Sequence, residues 1–159
     1  MSRANVAKGV IDYSGTARTM FFNTSNSPKY LFEYFTNANK TVVTSVNSPG
    51  AAFGTGSTSP TPDDYWLSGD LITTIRIVAT TVTVSIANGS YTFTNTMTVT
   101  NSGTDTVVIN ELGIMSNAHH DSSGLTAILL DRTVFDTPLT LAPGEQGVIT
   151  YTFNLPIVQ

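Results

Sequence analysis

The sequence predicts an all-β chain: an antiparallel β-sandwich, Ig-like or jelly-roll-like, with one long Gly/Pro-rich loop. Three observations carry this. Val78 to Val99 reads as a hairpin that can be paired residue by residue. Short strand-like runs recur about every 8–12 residues with turn signals between them. No helical period runs for a useful length. In the hairpin, Asn88-Gly89 is the preferred dipeptide for a two-residue type I′ turn, where both positions need φ > 0. That turn sets Ala87 opposite Ser90, Ile86 opposite Tyr91, Val84 opposite Phe93, Thr80 opposite Met97 and Val78 opposite Val99. These pairs share one face, expected to point into the core, with Val82–Asn95 the one mixed pair. Thr81, Thr83, Ser85, Thr92, Thr94, Thr96 and Thr98 take the other face.

The remaining elements follow in order. Strands are expected at Val6–Tyr13 and Thr16–Phe22, with residues 1–27 a candidate extended N-terminal arm. Lys29–Thr36 is aromatic and fits a strand or a turn and a half of helix; a strand is preferred. Thr41–Val46 reads as a strand. Residues 47–67 are dense in Gly and Pro but contain Phe53 and run into Asp63-Asp64-Tyr65-Trp66-Leu67, which argues for an ordered loop rather than a linker. Leu71–Ala79 enters the hairpin and Tyr91–Thr100 leaves it. Asn101–Asp105 turns, Thr106–Met115 is a strand and Ser116–Gly124 a polar loop. Leu125–Phe135 is a strand, Asp136–Pro138 a turn, Leu139–Leu141 a short strand and Ala142–Glu145 a turn. Val148–Leu155 closes the chain with Ile149, Tyr151, Phe153 and Leu155 on one face.

The 159 residues read as a single domain, long enough to bury about 70% of the unfolded surface. Charged residues are only 11% of the chain, against about 25% in ordinary soluble domains, so the surface is weakly defended against association. The seven basic residues are scattered, which argues against direct nucleic-acid binding. No apolar run is long enough to span a membrane, and no secretory leader follows Met1. Cysteine is absent, which excludes disulfides, thiolate zinc sites and Cys nucleophiles. Synthesis in the cytoplasm is expected.

Candidate chemistry is thin. His119-His120-Asp121 is too small for a transition-metal site and reads as a loop tip. Asp63-Asp64 reads as a turn after Pro62 with one carboxylate capping a backbone N–H. Gly54-Thr55-Gly56 lacks the Lys and the helix of a phosphate loop. Sequons at Asn23, Asn39 and Asn88 are expected by chance in a chain this rich in Asn and Thr. Tyr65 and Trp66 could form a sugar platform, although a core or interface role is preferred. No nucleophile, base and stabiliser come together in the pattern, so no enzyme, metal or cofactor is expected.

Three segments carry a resemblance. They are the run Gly54–Leu67 with Pro62-Asp63-Asp64-Tyr65-Trp66-Leu67, the run Thr98–Ile114 with Asn110-Glu111-Leu112-Gly113, and the runs Ile128–Phe135 and Pro138–Glu145 with Pro143-Gly144-Glu145. Together they resemble small all-β virion structural proteins of tailed bacteriophages. The resemblance implies a capsid decoration (cement) protein on the capsid exterior, made in the host cytoplasm. Its partner would be the major capsid protein, and it would be a homo-oligomer, with a trimer the natural guess. A tail, neck or fibre-base protein is the first alternative, and a receptor- or carbohydrate-binding module the second. Phe53, Tyr65 and Trp66 are the candidate interface residues.

Overall fold

A computed structural model describes residues 4–22, 42–44, 49–87, 89–120 and 125–156. These residues form eight strands and no helix: β1 (Ala4–Ile11), β2 (Ala17–Phe22), β3 (Gly50–Gly54), β4 (Ile75–Ala87), β5 (Ser90–Asn101), β6 (Val107–His120), β7 (Leu125–Leu141) and β8 (Gln146–Pro156). One sheet has the order β1-β2-β6-β3, with β7 on the other side of β6; the second is β4-β5-β8. All strand pairs are antiparallel. The expected run Lys29–Thr36 lies outside the described residues. Of Thr41–Val46, Val42 makes a parallel bridge to Ala51.

The sheets share a core. Phe53, Ile109, Leu112, Ile114 and Leu141 from the first pack with Ile75, Met97, Val99, Ile149 and Tyr151 from the second. The other face of the first sheet is covered too. There Val43, Ala52, Leu67, Met115 and Ala127 form a second cluster, with Tyr13, Trp66, Leu71 and Leu129 against it. Strand β6 is therefore buried on both sides, from Glu111 through Ser116. The chain is layered as loop, sheet, sheet. Tyr151 of β8 donates its hydroxyl to Asp131 of β7 at 2.8 Å, tying the two sheets together.

The hairpin register is as expected from Ala87↔Ser90 down to Thr80↔Met97, and Gly89 has the positive φ (71°) that the turn needs. Below that a β-bulge intervenes, so Val99 pairs with Ile77 and not with Val78. The mixed pair is also explained: Asn95 is buried and accepts a hydrogen bond from Thr80 Oγ1 at 2.7 Å.

Burial corrects the expectation for the hairpin. Met97 and Val99 are in the core, but Tyr91, Val84 and Ile86 are 40%, 55% and 64% exposed, and Phe93 is half-buried. The apolar face of the second sheet runs on past its cover.

Four further expectations change. Residues 50–54 within the 47–67 loop are strand β3: small Gly and Ala residues let this short strand lie against β6, with Phe53 in the core. Residues 4–22 are not an extended arm but two paired strands, and β2 continues onto β6 through Met20↔His120 and Phe21↔His119. The polar segment after Met115 continues β6 to His120, because β7 pairs with it as far as His119↔Leu125. Asp136–Pro138 is not a turn. It belongs to a bulge in one long strand β7, where the register jumps from Glu111↔Val134 to Ile109↔Leu139. Pro138 is tolerated because β7 is an edge strand with a broken ladder there.

Candidate functional site

Among the described residues, a cluster of buried charged groups gathers on the outer face of the first sheet, under the irregular segment 55–74. The ladder fixes their positions. Opposite Phe53↔Leu112, which faces the core, the next pair Gly54↔Glu111 faces the loop, and Arg132↔Gly113 brings Arg132 to the same side. Glu111 is fully buried. Its Oε1 accepts the N–H groups of Gly56 and Gly69 at 3.0 and 2.9 Å. Its Oε2 accepts the Ser68 N–H at 3.0 Å, the Ser68 hydroxyl at 3.1 Å and Arg132 Nη1 at 2.8 Å.

The Gly-Thr-Gly run finds its purpose here. It forms part of a nest of backbone donors, as anion-binding loops do, but the anion is the chain's own Glu111. The fit requires glycine: a Cβ on Gly56 would overlap Ser68 Oγ and the backbone of Gly69, and one on Gly69 would overlap Gly56.

Arg132 is also buried and reaches in three directions. It pairs with Glu111, pairs with Asp64 through Nη2 at 2.7 Å and Nε at 2.8 Å, and donates to the carbonyls of Thr58 and Ser59 at 3.0 and 3.2 Å. Asp64 in turn accepts the Thr61 N–H and hydroxyl, each at 2.9 Å. One carboxylate of the Asp63-Asp64 pair thus caps a backbone N–H after the proline turn, and also anchors an arginine that the sequence reading left out.

Protonation follows from these contacts. Burial alone would raise the Glu111 carboxyl, but the Ser68 and Gly69 N–H groups and Arg132 outweigh it, so it is held below its ordinary value. Asp64 is lowered as well, first by the Thr61 N–H and then, against burial, by Arg132. Both carboxylates are ionised and saturated with donors. The arrangement is a clamp that fastens segment 55–70 to β6 and β7.

Beside the clamp lies a shallow cleft of about 260 Å³, lined by Tyr13, Asp63, Asp64, Tyr65, Trp66, Leu67 and Ser68. Trp66 is half-buried and meets Tyr13 edge to face, with centroids 6.3 Å apart. Tyr65 is 42% exposed, and its ring lies 3.3 Å from where a Cβ on Gly15 would stand. Gly15 has a φ of 78° in the β1–β2 turn, which buried Asp12 organises by accepting the Ser14 and Thr16 N–H groups.

Of the three candidate interface residues, Tyr65 and Trp66 share this cleft. Phe53 is corrected: it is fully buried in the main core and presents nothing outward. His119 and His120 are consecutive residues of strand β6, and Asp121 lies outside the described residues. Among the described residues no three His, Cys, Asp or Glu side chains form a group able to hold a metal ion. The residues the sequence reading missed are Glu111, Ser68 and Arg132. A signal existed for two of them: in a chain with so few charges, Glu111 and Arg132 each fall within a strand-like run, whereas nothing local marked Ser68. No family model, curated protein or solved structure matches the chain.

Proposed function

We propose that this chain is a non-enzymatic structural component of a larger assembly, of the tailed-phage virion type, and that it decorates and reinforces the outside of a capsid shell. The observation that carries this reading is the neutrality of the second sheet. Across the 13, 12 and 11 residues of β4, β5 and β8 the one charged side chain is Arg76. That sheet still exposes Val84, Ile86, Tyr91 and Val148. Neutral, partly apolar sheet surface suits packing among neighbours. The clamp uses its charges on the chain itself, which supports a structural rather than a catalytic role. With this reading goes a sandwich of the Ig-like or jelly-roll-like kind, attached to the major capsid protein on the virion exterior.

The test adds purified protein to undecorated expanded shells and measures occupancy at low and high salt, then shell melting. Saturation at a simple ratio is expected, with little salt dependence because little charge is available. The shell should melt later, because a ligand of the assembled form stabilises it by mass action. No shell binding, with antibody label confined to the tail, would replace this reading by the tail, neck or fibre-base one.

The exposed Tyr65 ring beside Trp66, Tyr13 and Asp63 favours a second reading, a carbohydrate- or receptor-binding module. Glycan or host-cell binding lost on Trp66→Ala would establish it.

A further inference from the structure

We propose that strand β4, from Ala79 to Ala87, is where a second copy of this chain docks, edge to edge and antiparallel about a two-fold axis. The proposal rests on the reading of the chain as an assembly component and names its first partner.

Among the described residues β4 pairs only with β5, so it is an edge of its sheet. Edge strands are normally guarded by charges, prolines or bulges. The guards of β4 all lie at its start: Arg76, and the bulge between Ile77 and Ala79. From Ala79 to Ala87 there is no charge, no proline and no break in the ladder. The contrast with β7, an edge of the other sheet, is plain. It carries Asp131, Arg132, Asp136, Pro138 and two register shifts. The opposite edge of the second sheet, β8, ends at Pro156, which has no N–H to offer.

Apolar side chains accompany the open edge. Val84 and Ile86 on β4 and Tyr91 on β5 are 55%, 64% and 40% exposed. A two-fold axis sets this strand segment against a second copy of itself, so a charged edge would meet like charge. The run Ile77–Asn101, which includes this edge and its hairpin partner, contains no charge, so no like-charge contact opposes the pairing. Pairing centred on Thr83, the middle of the segment, sets Val82 against Val84 and Thr81 against Ser85. The apolar residues of both copies then continue one face and the hydroxyls the other. An isologous contact of this kind closes with two copies, so it makes a dimer where the resemblance suggests a trimer.

The absence of cysteine makes the test clean. The wild-type protein should run at twice its 16.9 kDa mass by light scattering. Thr83→Cys should cross-link into a disulfide dimer on mild oxidation, because directly paired antiparallel residues fall within disulfide reach. Thr133→Cys, exposed on β7, should not. Val84→Lys with Ile86→Lys should weaken association by about a hundredfold or more while circular dichroism and melting stay those of a folded chain. A wild-type monomer at the highest soluble concentration would overturn the proposal. A dimer that survives the lysines and cross-links no better at Thr83 than at Thr133 would also overturn it. A β4 dimer that binds no shell would sink the decoration reading alone, and a monomer that decorates shells would sink only this one.

Discussion

Two regions lie outside the main core, and the chain treats them in opposite ways. On the outer face of the first sheet, segment 55–70 is fastened down by Glu111, Arg132 and Asp64, with the two carboxylates accepting from the donors named above. At the far end of the second sheet, the β4–β5 hairpin carries no charged side chain beyond Arg76, and Val84, Ile86 and Tyr91 meet solvent. The difference teaches where contact with another molecule belongs. Polar groups that are internally saturated offer little to a partner, and breaking them is expensive. Exposed apolar side chains on a neutral strand gain from any surface that covers them.

The sharpest way to break the comparison is at the clamp. Glu111→Ala leaves Arg132 buried without one partner and the Gly56, Ser68 and Gly69 N–H groups without an acceptor. It should cost about 3–5 kcal/mol of stability in urea unfolding. Replacing Glu111 and Arg132 together by Leu and Met should cost clearly less than the sum of the single changes, since neither of the two buried charges is left without the other, while Asp64 keeps its bonds to Thr61. Phe53→Ala probes the covered core and should cost about 3–5 kcal/mol.

Acid sharpens the comparison further. Glu111 and Asp64 are both held below their ordinary values in the folded chain. The stability they contribute is therefore fully present above the ordinary carboxylate range and is lost as the pH falls through their lowered values. Melting temperature should drop with pH there, and Glu111→Gln should flatten that slope. The smallest effect belongs to the hairpin. Ile86→Ala, at an exposed site, should change the stability of the isolated chain by no more than about 0.5 kcal/mol, while lowering its self-association.

The sequence made the hairpin legible because turn chemistry and alternation constrain the same register, and Ile86↔Tyr91 and Val84↔Phe93 pair as read. It could not reveal that these pairs stand uncovered. Alternation identifies which face is apolar, whereas cover depends on how far the opposing sheet extends. Gly50–Gly54 was hidden for a related reason: glycine at both ends of a strand reads locally as loop, and only its partner β6 makes it a strand. At the clamp, the turn role of Asp64 was readable from Pro62-Asp63-Asp64. Its bond to Arg132 spans 68 residues, which no local pattern encodes. Glu111 sat in plain view within a strand, and its parity against Leu112 sets it on the opposite face from the core.

The clamp also orders events in time. The loop donors to Glu111 lie 42, 43 and 55 residues before it in the chain, while the β4–β5 hairpin closes through a two-residue turn. Short loops close first, because closure entropy grows with separation. The hairpin is expected to close before the clamp, whose loop donors reach Glu111 only when segment 55–70 meets β6. Disturbing the clamp should leave the refolding rate nearly unchanged and speed unfolding by almost the whole loss in stability. The carboxylate held beneath that loop should therefore weigh more on how long the protein survives than on how fast it forms.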